Sequence, residues 1–232
     1  MKLLALDTST EACSAALYLD GEVRGCFELA PRRHAALILP MLDSLLKEAG
    51  LAPAQLDALA FGRGPGAFTG VRIAVGVAQG VAFGAGLPVV PVSSLAALAH
   101  GIFRQQGRQR VLAALDARMG QVYWAAYEVQ GMGQVILQGE ERVVAPEAVP
   151  LPAGGGWCGA GTGWGAWGGS LHARLAGKVT AVHGACYPHA VDLAHLGASA
   201  CRAGVILPPE QALPVYLRER VAEKTSRNKA TW

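Results

Sequence analysis

The sequence predicts an α/β protein: a mixed β-sheet with helices packed on it, followed by a second, reduced lobe. Three observations predict this. Three short apolar strands open the chain in meander order. Strand–helix units follow them, giving β-β-β-α-β-α-β-α over roughly the first hundred residues. A further run of strands after residue 110 then echoes the first set. A meander followed by strand–helix crossovers mixes antiparallel and parallel pairing and supplies helices to cover the sheet.

Each element has its own signal. Residues 2–6 form a short apolar strand, and residues 14–19 and 22–29 flank Asp20-Gly21, a strong hairpin turn. A helix over 34–49 is ended by Gly50, with Pro40 inside it as an expected kink. Residues 56–61 make a fourth strand. A glycine-rich loop and a helix over about 69–85 come next. Residues 88–92 form a fifth strand, and Ser93 or Ser94 caps a third helix reaching about His100. The polar stretch 104–110 marks a lobe boundary. Strands over 111–115, 121–129 and 135–139 begin the second set. Residues 154–169, dense in glycine with Trp157, Trp164 and Trp167, read as irregular loops around a short strand. The tryptophans either cover a small core or stack on a ring. A last helix spans about 188–203. The expected division is therefore 1–105, 106–217 and a basic tail, 218–232.

Composition narrows the function. The chain has 232 residues, 52% hydrophobic and 16% charged. It is too apolar for disorder and has surface to spare for a partner. The net charge of +3 gives no strong field for nucleic acid. That excess sits in the tail, where Arg218, Arg220, Lys224, Arg227 and Lys229 face Glu219 and Glu223. The tail reads as a solvated end or a weak RNA contact. Cys13, Cys26, Cys158, Cys186 and Cys201 are odd in number and lack C-x-x-C spacing, which suits free thiols in a reducing compartment. Asp7 interrupts the apolar N-terminus too early for a signal peptide, so a cytoplasmic protein is expected. The apolar run 71–98 resembles a membrane span, but Pro88 and Pro91 shorten it, and a buried helix is the better reading.

The richest stretch is 61–73, where Gly62, Gly64, Gly66 and Gly70 surround Pro65 and lead into the second helix. Such a loop lets something approach the backbone closely: a phosphate, a substrate or another chain. It is not a Walker A loop, since no Gly-Lys-Ser/Thr follows. Arg63 and Arg72 are candidate anion contacts beside Gly64 and Gly66. Asp7, Thr8 and Ser9 follow the first strand, where backbone N–H groups and hydroxyls suit phosphate oxygens and a carboxylate suits a hydrated cation. In the second helix, Val71, Val75, Ala78 and Ala82 share one face, while Ile73, Val77, Val81 and Phe83 spread over the others. A helix apolar on nearly all sides needs cover on nearly all sides. One sheet supplies half of it. The other half falls to the second lobe or to a protein partner, and Gly76, Gly80 and Gly84 allow close approach. The first helix adds a wide apolar face with Leu37, Met41 and Leu45, and His34 at its start is a structural or interface residue.

Several segments together resemble the TsaB (YeaZ) family: residues 4–14, His34 with Leu39-Pro40, residues 62–73, Pro91-Val-Ser-Ser-Leu95, Asp116-Ala-Arg118 and residues 214–218. The resemblance spans nearly the whole chain and is closest in the first half. It implies an actin-like ATPase fold (ASKHA, ribonuclease H-like) with two lobes, the second reduced. It implies a noncatalytic subunit in bacterial synthesis of N6-threonylcarbamoyladenosine in tRNA. Such a subunit pairs with the catalytic paralogue TsaD through the first two helices, with His34, Leu37, Met41, Leu45, Val71, Val75, Gly76, Gly80 and Phe83 as the expected interface residues, and works with TsaE and, functionally, TsaC. It also implies tRNA contact through the complex and a homodimer in isolation. The catalytic relatives bind a metal through two histidines four residues apart. Aligned on Pro91-Val92, those positions hold Ser94 and Leu98, and the six histidines here offer no such pair. No catalytic residue and no metal site is therefore expected. No cofactor is expected on the chain alone, with ATP or ADP and magnesium at the joint with a partner. Competing readings are a small-molecule kinase of the same fold and direct tRNA binding by the tail.

Overall fold

The computed structural model describes residues 1–131 and 133–218. The first sheet has the order β3-β2-β1-β4-β5. β1 (Lys2–Asp7), β2 (Ala12–Leu19) and β3 (Glu22–Leu29) form the meander, while β4 (Ala58–Gly62) and β5 (Val89–Val92) add in parallel. The second sheet repeats this plan as β10-β9-β6-β7-β8. β6 (Arg110–Asp116), β7 (Val122–Gln130) and β8 (Gln134–Val144) are the meander, and β9 (Trp157–Ala160) and β10 (Val179–His183) are the parallel additions.

Strand alternation assigns the faces. Leu4, Leu6, Leu59 and Phe61 point to the side covered by α1 (His34–Glu48) and α2 (Phe68–Ala85). Leu3, Ala5, Ala58 and Ala60 point to the other side, which is covered by α5 (Ala190–Arg202). In the second sheet, Val111, Ala113 and Leu115 meet α3 (Ser94–Gln106), while Leu112 and Ala114 meet α4 (Thr162–Arg174). The two lobes thus exchange helices: α3 leaves the first sheet to cover the second, and α5 returns to cover the first. Residues 190–217 accordingly sit with the first sheet in space, although the sequence places them after the second.

Buried charge fastens the crossing of α3 and α5. Asp192 accepts from Arg104 through Nε at 2.9 Å and Nη2 at 3.1 Å, and lies 2.7 Å from His100 Nδ1. Burial alone would raise the Asp192 pKa, but the hydrogen bonds from His100 and Arg104 outweigh it and hold it below the ordinary value. Gly101 gives α3 room here, since a Cβ would lie 2.9 Å from the Asp192 carboxylate.

Three expectations need correction. The segment 154–169 is not mainly loop: it holds β9 and most of α4, a helix kinked at Trp167. Its central glycines, Gly159, Gly161, Gly163 and Gly165, are packing positions. A Cβ on Gly163 would meet Ala114 at 2.9 Å, and one on Gly165 would meet the Gly184 carbonyl at 2.8 Å. Trp157 and Trp164 are interior, with Trp164 Nε1 donating to the Leu112 carbonyl at 2.9 Å, so neither ring is free to stack on a ligand. Second, β10 went unread because its sequence alternates weakly. Third, α3 runs on to Gln106, so the expected boundary at 104–110 begins inside a helix. Within α1, the helix continues through Pro40. The tail beyond Arg218 lies outside the described residues.

Candidate functional site

The glycine loop receives a visitor, and the visitor is this chain. A Cβ on Gly66 would lie 2.2 Å from the Ser9 carbonyl oxygen, and one on Gly70 would lie 2.1 Å from that of Thr8. On Gly62 it would lie 1.9 Å from Asp7 Oδ2. The β1–β2 turn is therefore seated directly on the loop that enters α2. Hydrogen bonds seal the contact: Ala67 N donates to Ser9 O at 2.7 Å, and Thr8 Oγ1 donates to Gly70 O at 2.7 Å.

Asp7 is sealed beneath this turn. Its Oδ1 accepts from Ser9 N at 2.9 Å and Ser9 Oγ at 2.8 Å, and Ser94 Oγ lies 3.4 Å from Oδ2. The carboxyl is fully buried, and burial pushes its pKa up to about 6 against the pull of those hydrogen bonds and of nearby His34. A group so placed does not reach a hydrated cation, and the hydroxyls of Thr8 and Ser9 are already spent. Arg63 is turned toward Glu141 on β8, at 3.8 Å, where Tyr127 donates to Glu141 at 2.5 Å and Ser93 also bonds it. Arg72 lies over the Phe68 ring at 3.8 Å and donates to Tyr216 Oη at 2.7 Å. Of the predicted phosphate residues, Ser9 and Gly66 line the space between the lobes.

That space is a cleft of about 220 Å³. Ser9, Thr10 and Glu11 form one wall and Leu115–Arg118, Tyr123 and Thr162 the other. The N-terminal ends of α2 and α4 border it, and no side chain caps either, so both present unpaired N–H groups and a partial positive charge. Asp116 ends β6 as Asp7 ends β1, but it faces the cleft. Arg118 bridges Asp116 at 2.9 Å and Glu11 at 2.8 Å, tying one wall to the other. Residues 215–218 roof the cleft.

A second candidate surface is the outer face of α2. Gly76, Gly80 and Gly84 would each add a Cβ into open space, and Phe83 is 79% exposed. The short turn Pro209–Gln211 packs along the edge of this face, with Pro209 and Glu210 beside Gly76, Gly80 and Phe83. The residues expected at the partner interface divide. Val71 and Val75 are only 2% and 7% exposed and pack inward with Leu45, so they are core positions of this chain. His34 is buried too, with Nε2 unpartnered. Leu37 and Met41 are half-buried, and Leu39, beside them on α1, is exposed. α2 is long and apolar enough to cross a membrane, with a mean hydropathy of 1.3, but its inner face is spent on the first sheet.

Comparison with known proteins decides the family. The family model described as TsaD, tRNA N6-adenosine threonylcarbamoyltransferase, matches residues 27–156. The tRNA threonylcarbamoyladenosine biosynthesis protein TsaB of Escherichia coli is 46% identical, covering 97% of each chain. Its counterpart in Haemophilus influenzae is 42% identical, covering 97% of this chain and 96% of that one. The chain belongs to the TsaB family. The solved structure of YeaZ from Pseudomonas aeruginosa superposes with a TM-score of 0.86 at 51% identity, covering 93% of this chain and 99% of that one. The actin-like fold expected from sequence is shared with it.

Within this TsaB-family chain, sequence reading missed Asp116, Arg118 and Thr162 as cleft residues. The signal was available: Asp116 ends the first strand of the second set, as Asp7 ends that of the first. At the positions where the catalytic relatives are expected to hold histidines, Ser94 bonds Asp7 and Leu98 is buried.

Proposed function

We propose that this protein is a noncatalytic scaffolding and activating subunit in the threonylcarbamoylation of adenosine in tRNAs that read codons starting with A. It would dock on a catalytic TsaD subunit, help recruit the ATPase TsaE, and depend on TsaC for the activated threonylcarbamoyl group. The observation that carries this is the open face of α2. A stripe of Gly76, Gly80, Phe83 and Gly84, flanked on one side by Pro209 and Glu210 but otherwise open, is costly to leave in water, and glycines at helical spacing admit another helix closely. The half-buried Leu37 and Met41 and exposed Leu39 extend it onto α1. The same face would hold a homodimer in isolation. A cytoplasmic location fits five free cysteines.

ATP or ADP with magnesium is proposed at the joint with the partner. The residues fit such a group only in part: Thr10, Asp116 and Thr162 with two uncapped helix ends suit a magnesium-bound polyphosphate, whereas Asp7 and Ser9 are buried and bonded to each other. The test is titration of purified TsaD into this chain by analytical ultracentrifugation. Gly80→Leu places a branched side chain in the middle of the stripe and should weaken the heterodimer by about tenfold or more. Undiminished assembly sinks the interface. Reconstitution of modified tRNA with the chain omitted and restored tests the pathway. The cleft favours a second reading, an ATPase or small-molecule kinase of this fold, which ATP turnover by the isolated chain would revive.

A further inference from the structure

The last described segment, residues 212–218, does two things at once. At one end it is laid along α2. Gln79 Nε2 donates to Ala212 O at 3.0 Å, and the Tyr216 ring packs on Phe68 with centroids 5.6 Å apart while its hydroxyl accepts from Arg72. At the other end it crosses to the second lobe. Arg218 Nη2 donates to Ala117 O at 3.1 Å and to Gln121 Oε1 at 2.6 Å. Between them Val215 N donates to Arg63 O at 2.8 Å. The segment is thus a strap tied to both lobes, and its inner side is the roof of the cleft.

Its effect on the cleft is steric. Beneath the strap about 220 Å³ remains, less than the roughly 300–1,000 Å³ of small-molecule sites. Ala212 is anchored in the core and by Gln79, but the ties on residues 214–218 beyond it are few: the Val215–Arg63 backbone hydrogen bond, the Arg218 guanidinium on the 117–121 turn and Met119, and the exposed Tyr216 on Arg72 and Phe68. Such contacts are each worth about 1–3 kcal/mol, the guanidinium bonds at the upper end, so residues 214–218 can be displaced without unfolding either sheet. Tyr216 also lies against Phe68 and Arg72, which belong to the outward side of α2. Anything that docks on that side meets the strap.

We propose that residues 214–218 are a displaceable lid that keeps a polyphosphate ligand out of the interlobe cleft, and that docking on α2 releases it. This rests on reading the cleft as the chain's half of a nucleotide site. It adds the device that couples the helix face to the cleft, with Tyr216 as the contact felt from outside and Arg218 as the latch.

The test uses the full chain and the double variant Tyr216→Ala/Arg218→Ala, both with magnesium ATP in isothermal titration calorimetry. Hydrogen exchange at the Val215 amide reports strap release independently of any ligand. The expected result is faster exchange at Val215 in the variant and nucleotide affinity raised by about tenfold or more, as removal of a closed-state population requires. Adding TsaD to the wild-type chain should speed Val215 exchange in the same way. Equal binding by both chains overturns the lid while leaving the cleft reading intact. Weaker binding by the variant overturns it too, because Arg218 is then a ligand rather than a latch. If exchange rises and neither chain binds ATP, the lid is again overturned. Titration of ATP into the TsaD heterodimer then shows whether the nucleotide reading survives without it.

Discussion

The two lobes are built on one strand plan and use it oppositely. In each, the first strand of a meander ends in an aspartate that enters a tight turn, and two parallel strands follow. In the first lobe the turn is seated on the Gly62–Gly70 loop, and Asp7 is buried under it. In the second lobe, glycines after β9 press instead on Ala114 in β6, and Asp116 is left facing the cleft. The first lobe also has α1, for which the second has only a short turn at Pro146–Ala148. One lobe has spent its motif on packing and shows an apolar helix face outward. The other keeps polar groups at the cleft. The difference teaches that an aspartate-turn motif does not define a chemistry until its burial is known.

The comparison breaks first at the helix exchange. If α3 and α5 join two repeats into one cooperative unit, Asp192→Ala should cost about 3–5 kcal/mol, the usual loss when one partner of a buried ion pair is removed. Urea unfolding should show it, and a single transition that splits in two would locate the damage at the lobe junction. A loss under about 1 kcal/mol, the range of exposed ion pairs, would mean the lobes are held by apolar packing alone. Next in size is the contrast within α2. Gly70→Ala drives a Cβ into the Thr8 carbonyl, and should cost about 3 kcal/mol or more because backbone must move. Gly80→Ala meets nothing and should gain about 0.5–1 kcal/mol from helix propensity. Similar values for the two would erase the distinction between the seated and the open end of this helix.

Much of the first lobe was legible because its signals are local. Asp20-Gly21 fixes a hairpin, alternating residues in β1 and β4 fix a sheet with two covered faces, and Gly50 stops α1. The outward Gly76, Gly80 and Phe83 could be read from periodicity. Which visitor the loop receives could not, since the approach of Thr8 and Ser9 to Gly66 and Gly70 spans about sixty residues of sequence and depends on sheet order. Val71 and Val75 illustrate the same limit: a helix apolar all round does not say which apolar side faces the sheet. The second lobe was harder. Glycines in α4 argue against a helix by propensity, and only the packing of Trp164 and Leu171 overrides them. The exchange of α3 and α5 leaves no local mark at all.

The pair of aspartates gives the finest test. Asp7 has its folded pKa raised, so between the ordinary carboxylate value and about 6 the folded chain holds a proton that the unfolded chain releases. Its contribution is therefore intact below about pH 4 and is lost as pH rises through that window, by an amount on the order of 3 kcal/mol at most. Asp7→Asn keeps an acceptor for Ser9 and removes the ionisation. It should flatten that slope and leave the variant more stable than wild type at pH 8. Asp116→Asn should change stability only slightly. Its carboxylate accepts from the Arg118 N–H at 3.0 Å and pairs with an exposed guanidinium, contacts worth about 1 kcal/mol or less in water. The variant should unfold within that margin of wild type, and the small loss should shrink further in about 1 M salt. A loss of several kcal/mol would mean that Asp116 is as structural as Asp7. The cleft would then have no carboxylate to spare for a ligand, and the lobes would differ in shape but not in use.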